Sequence, residues 1–246
     1  MTLRLLLSAL VLLASPALAF DLDAMSPEDR AAFRAEVRSY LLENPEVLME
    51  AIAVLEARER EAQANADSAL VELHAAAIFE DGHSWVGGNP EGDITLVEFI
   101  DYRCGYCRQA FAEIARLLET DGNIRFIVKE FPILGEQSLM AARFAIATHQ
   151  IHGDEGYDAV HNALMTMRAD ITPDSLSRLA EALALDPAPI LARMEAPEVT
   201  AVIEANHALG NLMQITGTPT FVLGDRMLRG YAPLESMREI VAEVRS

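Results

Sequence analysis

An apolar strand that runs into a Cys-x-x-Cys motif at the start of a helix constrains the fold of this chain most. Ile94–Ile100 has the composition of a buried strand, and Cys104-Gly105-Tyr106-Cys107 follows it closely. Helical spacing then continues to Thr120, and a turn at Asp121-Gly122-Asn123 leads into a second apolar run, Ile124–Val128. A strand–helix–strand unit this short predicts two parallel strands joined by a right-handed crossover.

The rest of the body is predicted from turn signals and helical patterning. Residues 136–214 have helical spacing that two proline-containing dipeptides interrupt. Further along, Thr220–Leu223 and Met227–Tyr231 flank Gly224-Asp225, which indicates a hairpin, and an amphipathic helix follows. A glycine-rich stretch before the first strand reads as a loop. The predicted order is therefore βαβ, a helical insert and ββα, which makes the body an α/β domain.

Residues 26 to about 80 predict an all-α segment in front of this body. Ser26-Pro27 provides an N-cap followed by a proline at the first helical position, and Asn44-Pro45 interrupts the helix and restarts it. Apolar residues then recur every seven positions from Leu48 to Ala76. A helix with so thin an apolar stripe is not stable alone. It needs either the body of its own chain or further copies of itself, and the periodicity leaves both possibilities open.

Met1–Ala19 has the features of an export signal. Arg4 precedes the apolar run Leu5–Ala14, and Ala17-Leu18-Ala19 offers an A-x-A cleavage site. The apolar run is well short of the ~20 residues that a membrane-spanning helix needs. We therefore predict a signal peptide at residues 1–19 that is cleaved near Ala19, a helical arm at 20–80 and the body at 81–246. Such a protein works in an oxidising space outside the cytoplasm.

Charge and cysteine content exclude several classes of function. The 38 acidic residues outnumber the 19 basic ones, which gives a formal net charge of −19. A surface with this balance repels phosphate backbones, so we expect no nucleic-acid partner. Two cysteines cannot build a multi-disulfide scaffold or an all-cysteine zinc site. We expect no metal and no cofactor other than a redox-active Cys104–Cys107 disulfide.

The position of the two cysteines predicts different roles for them. Cys104 would lie at the exposed N-terminus of a helix, where unpaired N–H groups and the helix dipole stabilise a thiolate nucleophile. Cys107, one turn further on, would be shielded and act as the resolving thiol. A static disulfide is a weaker interpretation, because so small a loop stabilises a fold little. A metal site that adds His149 and His152 is also disfavoured, because these lie in a separate helical region.

Two motifs taken together resemble the DsbA family of thioredoxin-fold proteins. They are Phe99–Cys107, with the sequence FIDYRCGYC, and Gly217–Phe221, with the sequence GTPTF. The resemblance covers roughly residues 85–246, and the helical arm resembles the N-terminal segment of the copper-sensitivity-suppressor branch of that family. It implies a thioredoxin fold with a helical domain inserted at about 136–214, in a periplasmic thiol-disulfide oxidoreductase.

The resemblance also implies roles for residues around the cysteines. Thr218 and Pro219 would form the cis-proline loop, which faces the active cysteines and binds an extended client peptide. Gly105 and Tyr106 would be the variable dipeptide, which tunes the redox potential and borders the bound client.

Glu98 is the candidate proton acceptor. It lies in an apolar run, so burial should raise the pKa of its carboxyl group. In thioredoxin-like proteins an acid at this spacing accepts the proton of the resolving thiol, which here is Cys107. The alternative is a salt bridge between Glu98 and Lys129 on the neighbouring strand.

Three functions follow from the resemblance. Gly-Tyr between the cysteines and Thr before the proline resemble isomerase-type members, which favours an isomerase or reductase of unfolded or misoxidised exported proteins that a membrane reductase keeps reduced. An oligomer formed through residues 20–80 would suit an isomerase. An oxidase recharged by a quinone-linked membrane partner is the second hypothesis. A copper-binding or peptide-holding protein is the third.

Overall fold

The computed structural model describes residues 25–246, and the predicted signal peptide lies outside them. Contacts divide the chain into two units, one ending at Arg58 and the other beginning at Glu59. The helices of the described residues are α1 (Pro27–Glu43), α2 (Glu46–Leu73), α3 (Ala75–Phe79), α4 (Gly105–Asp121), α5 (Glu136–Thr166), α6 (Pro173–Ala182), α7 (Pro187–Arg193), α8 (Pro197–Leu212) and α9 (Leu234–Val244). The strands are β1 (Trp85–Gly88), β2 (Ile94–Ile100), β3 (Ile124–Glu130), β4 (Thr220–Leu223) and β5 (Arg226–Arg229).

The first unit consists of α1 and the N-terminal half of α2. The backbone N–H of Asp29 donates to the Ser26 side chain at 3.1 Å, and Pro27 occupies the first turn, so α1 begins as its sequence predicts. No residue of α1 is buried in the described chain. The apolar side chains of this unit are therefore exposed to solvent.

The second unit is built on one sheet with the strand order β1-β3-β2-β4-β5. Strands β2 and β3 are parallel and joined by α4, while β1, β4 and β5 pair antiparallel with their neighbours. The predicted α/β fold is confirmed. The glycine-rich segment predicted as a loop contains strand β1, and that prediction was wrong. The indole of Trp85 occupies the place where a side chain at Gly87 would lie, so glycine serves packing here.

Both faces of the sheet are covered, as the alternation along β2 shows. Leu96 and Ile100 belong to a large apolar cluster with α4, α5 and α9. Val97 and Phe99 point to the other face and pack in a second cluster that includes Val71 of α2. Residues 59–79, which the sequence groups with the arm, therefore pack in the second unit. The arm as a single domain of residues 20–80 stays a prediction.

Helices α5–α8 connect β3 to β4 and form the predicted insert. Proline opens α6 and α7 at Pro173 and Pro187, as predicted, and Gly153 kinks α5 at a φ of +68°. Gly224 turns the β4–β5 hairpin with a φ of +61°, and β5 ends earlier than predicted, at Arg229. Within residues 25–246, no helix is long and apolar enough to cross a membrane.

Candidate active site

Cys104 lies at the junction between β2 and α4, where it is the N-cap residue of α4. Its backbone N–H donates to the Asp101 carbonyl at 3.0 Å. The buried Asp101 carboxylate accepts the backbone N–H of Arg103 at 2.7 Å and those of Ile133 and Leu134 at 2.8 and 3.0 Å. These bonds tie the segment before Cys104 to the loop after β3. Asp101 thus fixes the position of the turn that carries Cys104.

The loop before β4 covers Cys104. The Cys104 sulfur lies 3.1 Å from the Thr218 carbonyl oxygen, and the Thr218–Pro219 peptide bond is cis. The Pro219 carbonyl accepts the N–H of Gly230 at 2.9 Å, which holds the loop to the chain after β5. Cys104 is only 8% exposed, although the sequence suggested an exposed position at the helix terminus. The Thr218 loop makes the difference, because it comes from a distant part of the chain.

The two thiols have opposite pKa shifts. The hydrogen bond from Cys107 lowers the pKa of Cys104 to about 5; burial opposes this, while Thr218 and the N–H groups of Tyr106 and Cys107 assist it. The hydrogen bond to Cys104, together with burial and the nearby charge of Glu98, raises the pKa of Cys107 well above its ordinary value. Cys104 is therefore the thiolate at neutral pH, and Cys107 is the proton donor. Both are free thiols in the structure.

Glu98 is buried below the two cysteines. It is 2% exposed, and its Oε1 has no hydrogen-bond partner among the described residues. Burial raises the pKa of Glu98 well above the ordinary value, and the charge of Cys104 adds to this effect. A cavity of about 340 Å³, lined by Glu98, Trp85, Phe111 and His161 among others, reaches this carboxyl group. The arrangement is suited to a group that gains and loses a proton.

The predicted salt bridge between Glu98 and Lys129 is wrong. In the β2–β3 register, Glu98 lies opposite Val128, so Lys129 points to the other face of the sheet. The Lys129 ammonium instead donates to Asp81 at 2.5 Å, and its side chain is fully buried. A side-chain period of two along the strand places the two charges on opposite faces.

A buried polar cluster behind the cysteines was not predicted. The hydroxyls of Tyr102 and Tyr157 donate to Glu130 Oε1 at 2.7 and 2.6 Å, and the Tyr102 hydroxyl lies 3.1 Å from Nδ1 of His161. Burial raises the pKa of Glu130 to about 8. The available signal was Tyr102, a polar aromatic residue between the strand and the motif, but its partners come from β3 and α5.

The other predicted site residues lie at the surface of the site. Tyr106 is 63% exposed, and the space that a side chain at Gly105 would occupy is open. His149 pairs with Asp154 at 2.8 Å. Across the part of the chain that the structure describes, no three His, Cys, Asp or Glu side chains come together as a metal site.

Comparison with known proteins agrees with this geometry. A family model described as a DSBA-like thioredoxin domain matches residues 95–242. The chain belongs to this family. A second model, the copper resistance protein ScsC N-terminal domain, matches residues 29–62, so this DsbA-like chain combines the two segments in the order that the sequence suggested.

Solved structures agree with the family assignment. The DsbA-like chain is 41% identical to a thioredoxin-like oxidoreductase from Silicibacter pomeroyi DSS-3, with a TM-score of 0.65 over 69% of this chain and 96% of that one. It is 30% identical to a periplasmic thioredoxin-like protein from Salmonella enterica serovar Typhimurium, with a TM-score of 0.64 over 71% and 97% of the two chains. Both structures are consistent with the DSBA-like thioredoxin domain of this chain.

A curated relative is much longer. The Na(+)/H(+) antiporter NhaA 1 of Salinispora arenicola (strain CNS-205) is 26% identical over 186 residues, which are 75% of this chain and 28% of the antiporter. The chain thus spans just over a quarter of the length of that relative.

Proposed function

We propose that this protein is a disulfide isomerase or reductase of exported proteins, with Cys104 as nucleophile and Cys107 as resolving thiol. The observation that carries the proposal is the contact of 3.1 Å between the Cys104 sulfur and the Thr218 carbonyl beside cis-Pro219. This contact sets a low-pKa thiol against the half-buried Thr218, at a loop where an extended client peptide would pair. The Gly105-Tyr106 dipeptide borders the same surface.

In the reductase direction, the Cys104 thiolate attacks one sulfur of a client disulfide. A bond forms between Cys104 and that sulfur, and the second client sulfur leaves as a thiolate. Cys107 then loses its proton and attacks the Cys104 sulfur, which forms the Cys104–Cys107 disulfide and releases the reduced client. In an isomerisation, a client thiolate attacks the mixed disulfide instead and returns Cys104 as a thiolate.

Glu98 is the proposed proton acceptor for Cys107. The raised pKa of Cys107 means that the resolving thiol needs a base, and Glu98 is the buried carboxyl group whose charge acts on it. Water in the adjoining cavity would carry the proton between Glu98 and solvent.

We propose that the protein works in the periplasm as an oligomer assembled through its N-terminal arm. A periplasmic relative and the export signal predicted at residues 1–19 support the location. In the first unit, a set of apolar side chains is 41–56% exposed, and their spacing places them on one side of each helix. They are Phe33, Val37 and Tyr40 in α1, and Leu48, Ile52 and Leu55 in α2.

A membrane reductase would return the Cys104–Cys107 disulfide to thiols.

The test measures the refolding of a substrate protein with scrambled disulfides in the presence of the wild-type protein or one of two variants. The wild-type protein should restore substrate activity, and Cys104→Ser should abolish the effect. Cys107→Ser should accumulate mixed disulfides with the substrate that a reducing agent releases on a gel. Undiminished isomerisation by Cys104→Ser would contradict the assignment.

An oxidase is the second candidate, and the pKa of Cys104 is the observation that favours it. A thiolate with a pKa of about 5 stabilises the reduced protein, which makes its disulfide a stronger oxidant. Incubating the oxidised protein with a reduced, unfolded client distinguishes the two. Rapid transfer of the disulfide together with failure to correct scrambled substrate would establish the oxidase.

A further inference from the structure

We propose that three arginines beside Cys104, namely Arg103, Arg108 and Arg168, form a surface that selects client segments rich in Asp and Glu. The inference rests on the proposed function and names the class of client that this site prefers. We call the three residues the arginine rim.

Two members of the rim directly flank the two cysteines in the chain. Arg103 directly precedes Cys104 in the chain, and Arg108 directly follows Cys107 on the first turn of α4. The Nε of Arg108 donates to the Tyr102 carbonyl at 2.8 Å, which holds its guanidinium against the segment that presents Cys104. Arg168, after the end of α5, is exposed. Burial lowers the pKa of Arg108, and the charges of Arg103 and Arg168 lower it further while that of Asp101 opposes them, so Arg103 and Arg168 both lie near Arg108.

Acidic side chains of the chain itself leave the rim largely uncompensated. Nη2 of Arg108 is buried and has no hydrogen-bond partner among the described residues. The acidic neighbour of Arg103 is Asp170, whose carboxylate is 4.0 Å away and whose side chain is 77% exposed. Asp101 is closer in sequence and its charge acts on Arg108, but its carboxylate oxygens accept backbone N–H groups and not the guanidinium.

Two other arginines of the second unit are neutralised at short range. Arg229 pairs with Asp67 at 2.6 Å, and Arg245 binds both Asp93 and Asp121 at 2.6 to 2.7 Å. In a chain with 38 acidic and 19 basic residues, carboxylate partners are abundant. The arginines at the nucleophile are compensated more weakly, since the Arg103–Asp170 pair is 4.0 Å long and Asp170 is exposed, and they are therefore suited to a partner from outside the chain.

Charge complementarity identifies that partner as an acidic polypeptide segment. A guanidinium binds carboxylates through paired N–H donors whose geometry matches the two oxygens. A client cysteine flanked by Asp or Glu would bring carboxylates to the rim as its sulfur reaches Cys104. The remaining surface of this acidic protein would repel such a client, so the rim also orients its approach.

The test compares three peptides of equal length, each carrying one intramolecular disulfide flanked by Asp, by Gln or by Lys. The reduced wild-type protein is the reductant, and each kcat/KM is divided by the rate constant of the same peptide with dithiothreitol. This division removes the effect of flanking charge on the intrinsic reactivity of the peptide. We expect the Asp peptide to exceed the Lys peptide by about tenfold at low ionic strength. The ratio should approach one at about 1 M salt, where charges are screened over about 3 Å.

Two variants assign the preference to the rim. Arg168 is exposed and lies far from both cysteines in the sequence. Arg168→Gln should lower the ratio of normalised kcat/KM for the Asp peptide to that for the Lys peptide severalfold. Adding Arg103→Gln should bring the ratio to about one. The control Arg116→Gln removes the same charge from the exposed side of α4, several turns from Cys104, and it should leave the ratio unchanged.

The outcomes separate the two proposals. If all three peptides react at equal normalised rates, or if the Asp preference survives in the double variant, the rim does not select clients and the oxidoreductase proposal stands. If no peptide reacts while dithiothreitol reduces all of them, the proposed reductase function fails and the rim proposal fails with it.

Discussion

At the scale of single residues, the two cysteines differ because of what each one contacts. Cys104 receives hydrogen bonds from the Cys107 thiol and from backbone N–H groups at the start of α4, and these stabilise its thiolate. Cys107 is fully buried, and the charge of Glu98 acts against its ionisation. One sulfur is therefore ready to attack, while the other is protected until a mixed disulfide has formed.

This difference predicts the pH dependence of alkylation. The reaction of Cys104 with iodoacetamide should reach half of its maximal rate near pH 5, because the thiolate is the reactive form. Cys107→Ala removes the largest contribution to the low pKa, so the midpoint should move up by one pH unit or more. Cys107→Ser retains a hydroxyl donor and is the matched control, with a smaller shift. Identical midpoints in the two variants would contradict the role given to the Cys107 hydrogen bond.

A second prediction concerns Glu98. Glu98→Gln keeps the shape of the side chain but cannot accept the Cys107 proton, so release of client from a preformed mixed disulfide should slow by about 10- to 100-fold. The first step, attack by Cys104, should change far less. Stopped-flow measurement of peptide release from the Cys104 mixed disulfide separates the two steps. Glu119→Gln, on the exposed surface of α4, is the control and should release peptide at the wild-type rate.

At the scale of elements, the paired strands β2 and β3 carry a buried acid on one face of the sheet and a buried base on the other. Glu98 faces the cysteines and the cavity, and Lys129 of the neighbouring strand faces α3 and the segment before β1, where it binds Asp81. Burial acts to raise the pKa of Asp81, but the charge and hydrogen bonds of Lys129, together with Ser84, hold it well below the ordinary value. The ion pair fastens this segment to the sheet.

The prediction for this pair concerns stability. Asp81→Asn leaves the fully buried Lys129 ammonium without its counter-charge and should cost about 3 kcal/mol of unfolding free energy in a urea titration. Glu80→Gln alters the exposed neighbouring acid and should change stability by less than about 0.5 kcal/mol. Since the folded-state pKa of Asp81 is lowered, its contribution is complete above the unfolded pKa of about 3.9 and is lost as pH falls further. An Asp81→Asn variant as stable as wild type would contradict this account.

At the scale of the whole molecule, the proposed oligomer depends on the exposed apolar side chains of the first unit. Ile52→Glu with Leu55→Glu places two charges among them, and the protein should change from an oligomer to a monomer in analytical ultracentrifugation. Isomerisation of scrambled substrate should fall severalfold, while reduction of a small peptide should persist, because the site in the second unit is intact. Deleting residues 20–80 is a poorer test, because it removes Val71 and Ile78 from the core.

The control for this experiment adds the same charge elsewhere. Ala53→Glu with Ala57→Glu lies on the other side of α2 by helical spacing and should leave the oligomer intact. A wild-type protein that sediments as a monomer would contradict the proposed role of the arm.

Features that depend on near neighbours in the chain could be predicted without the fold. An apolar run predicted β2, helical spacing predicted α4, turn residues predicted the β4–β5 hairpin, and the Cys104-to-Cys107 spacing predicted a redox pair at the start of a helix. Such patterns can be recognised in a sequence because the side-chain periods of strands and helices span only a few residues. The glycines around Trp85 misled the prediction of a loop, because glycine can serve packing as well as turning.

The tertiary structure decided which distant groups meet. Thr218 covers Cys104 from 114 positions away, and Glu130 receives hydroxyls from Tyr102 and Tyr157 across 28 and 27 positions. The register between β2 and β3 separates Glu98 from Lys129, although both lie in similar apolar runs. Contacts of this kind depend on how strands pair and helices pack, because the free energy of burial does not depend on separation along the chain.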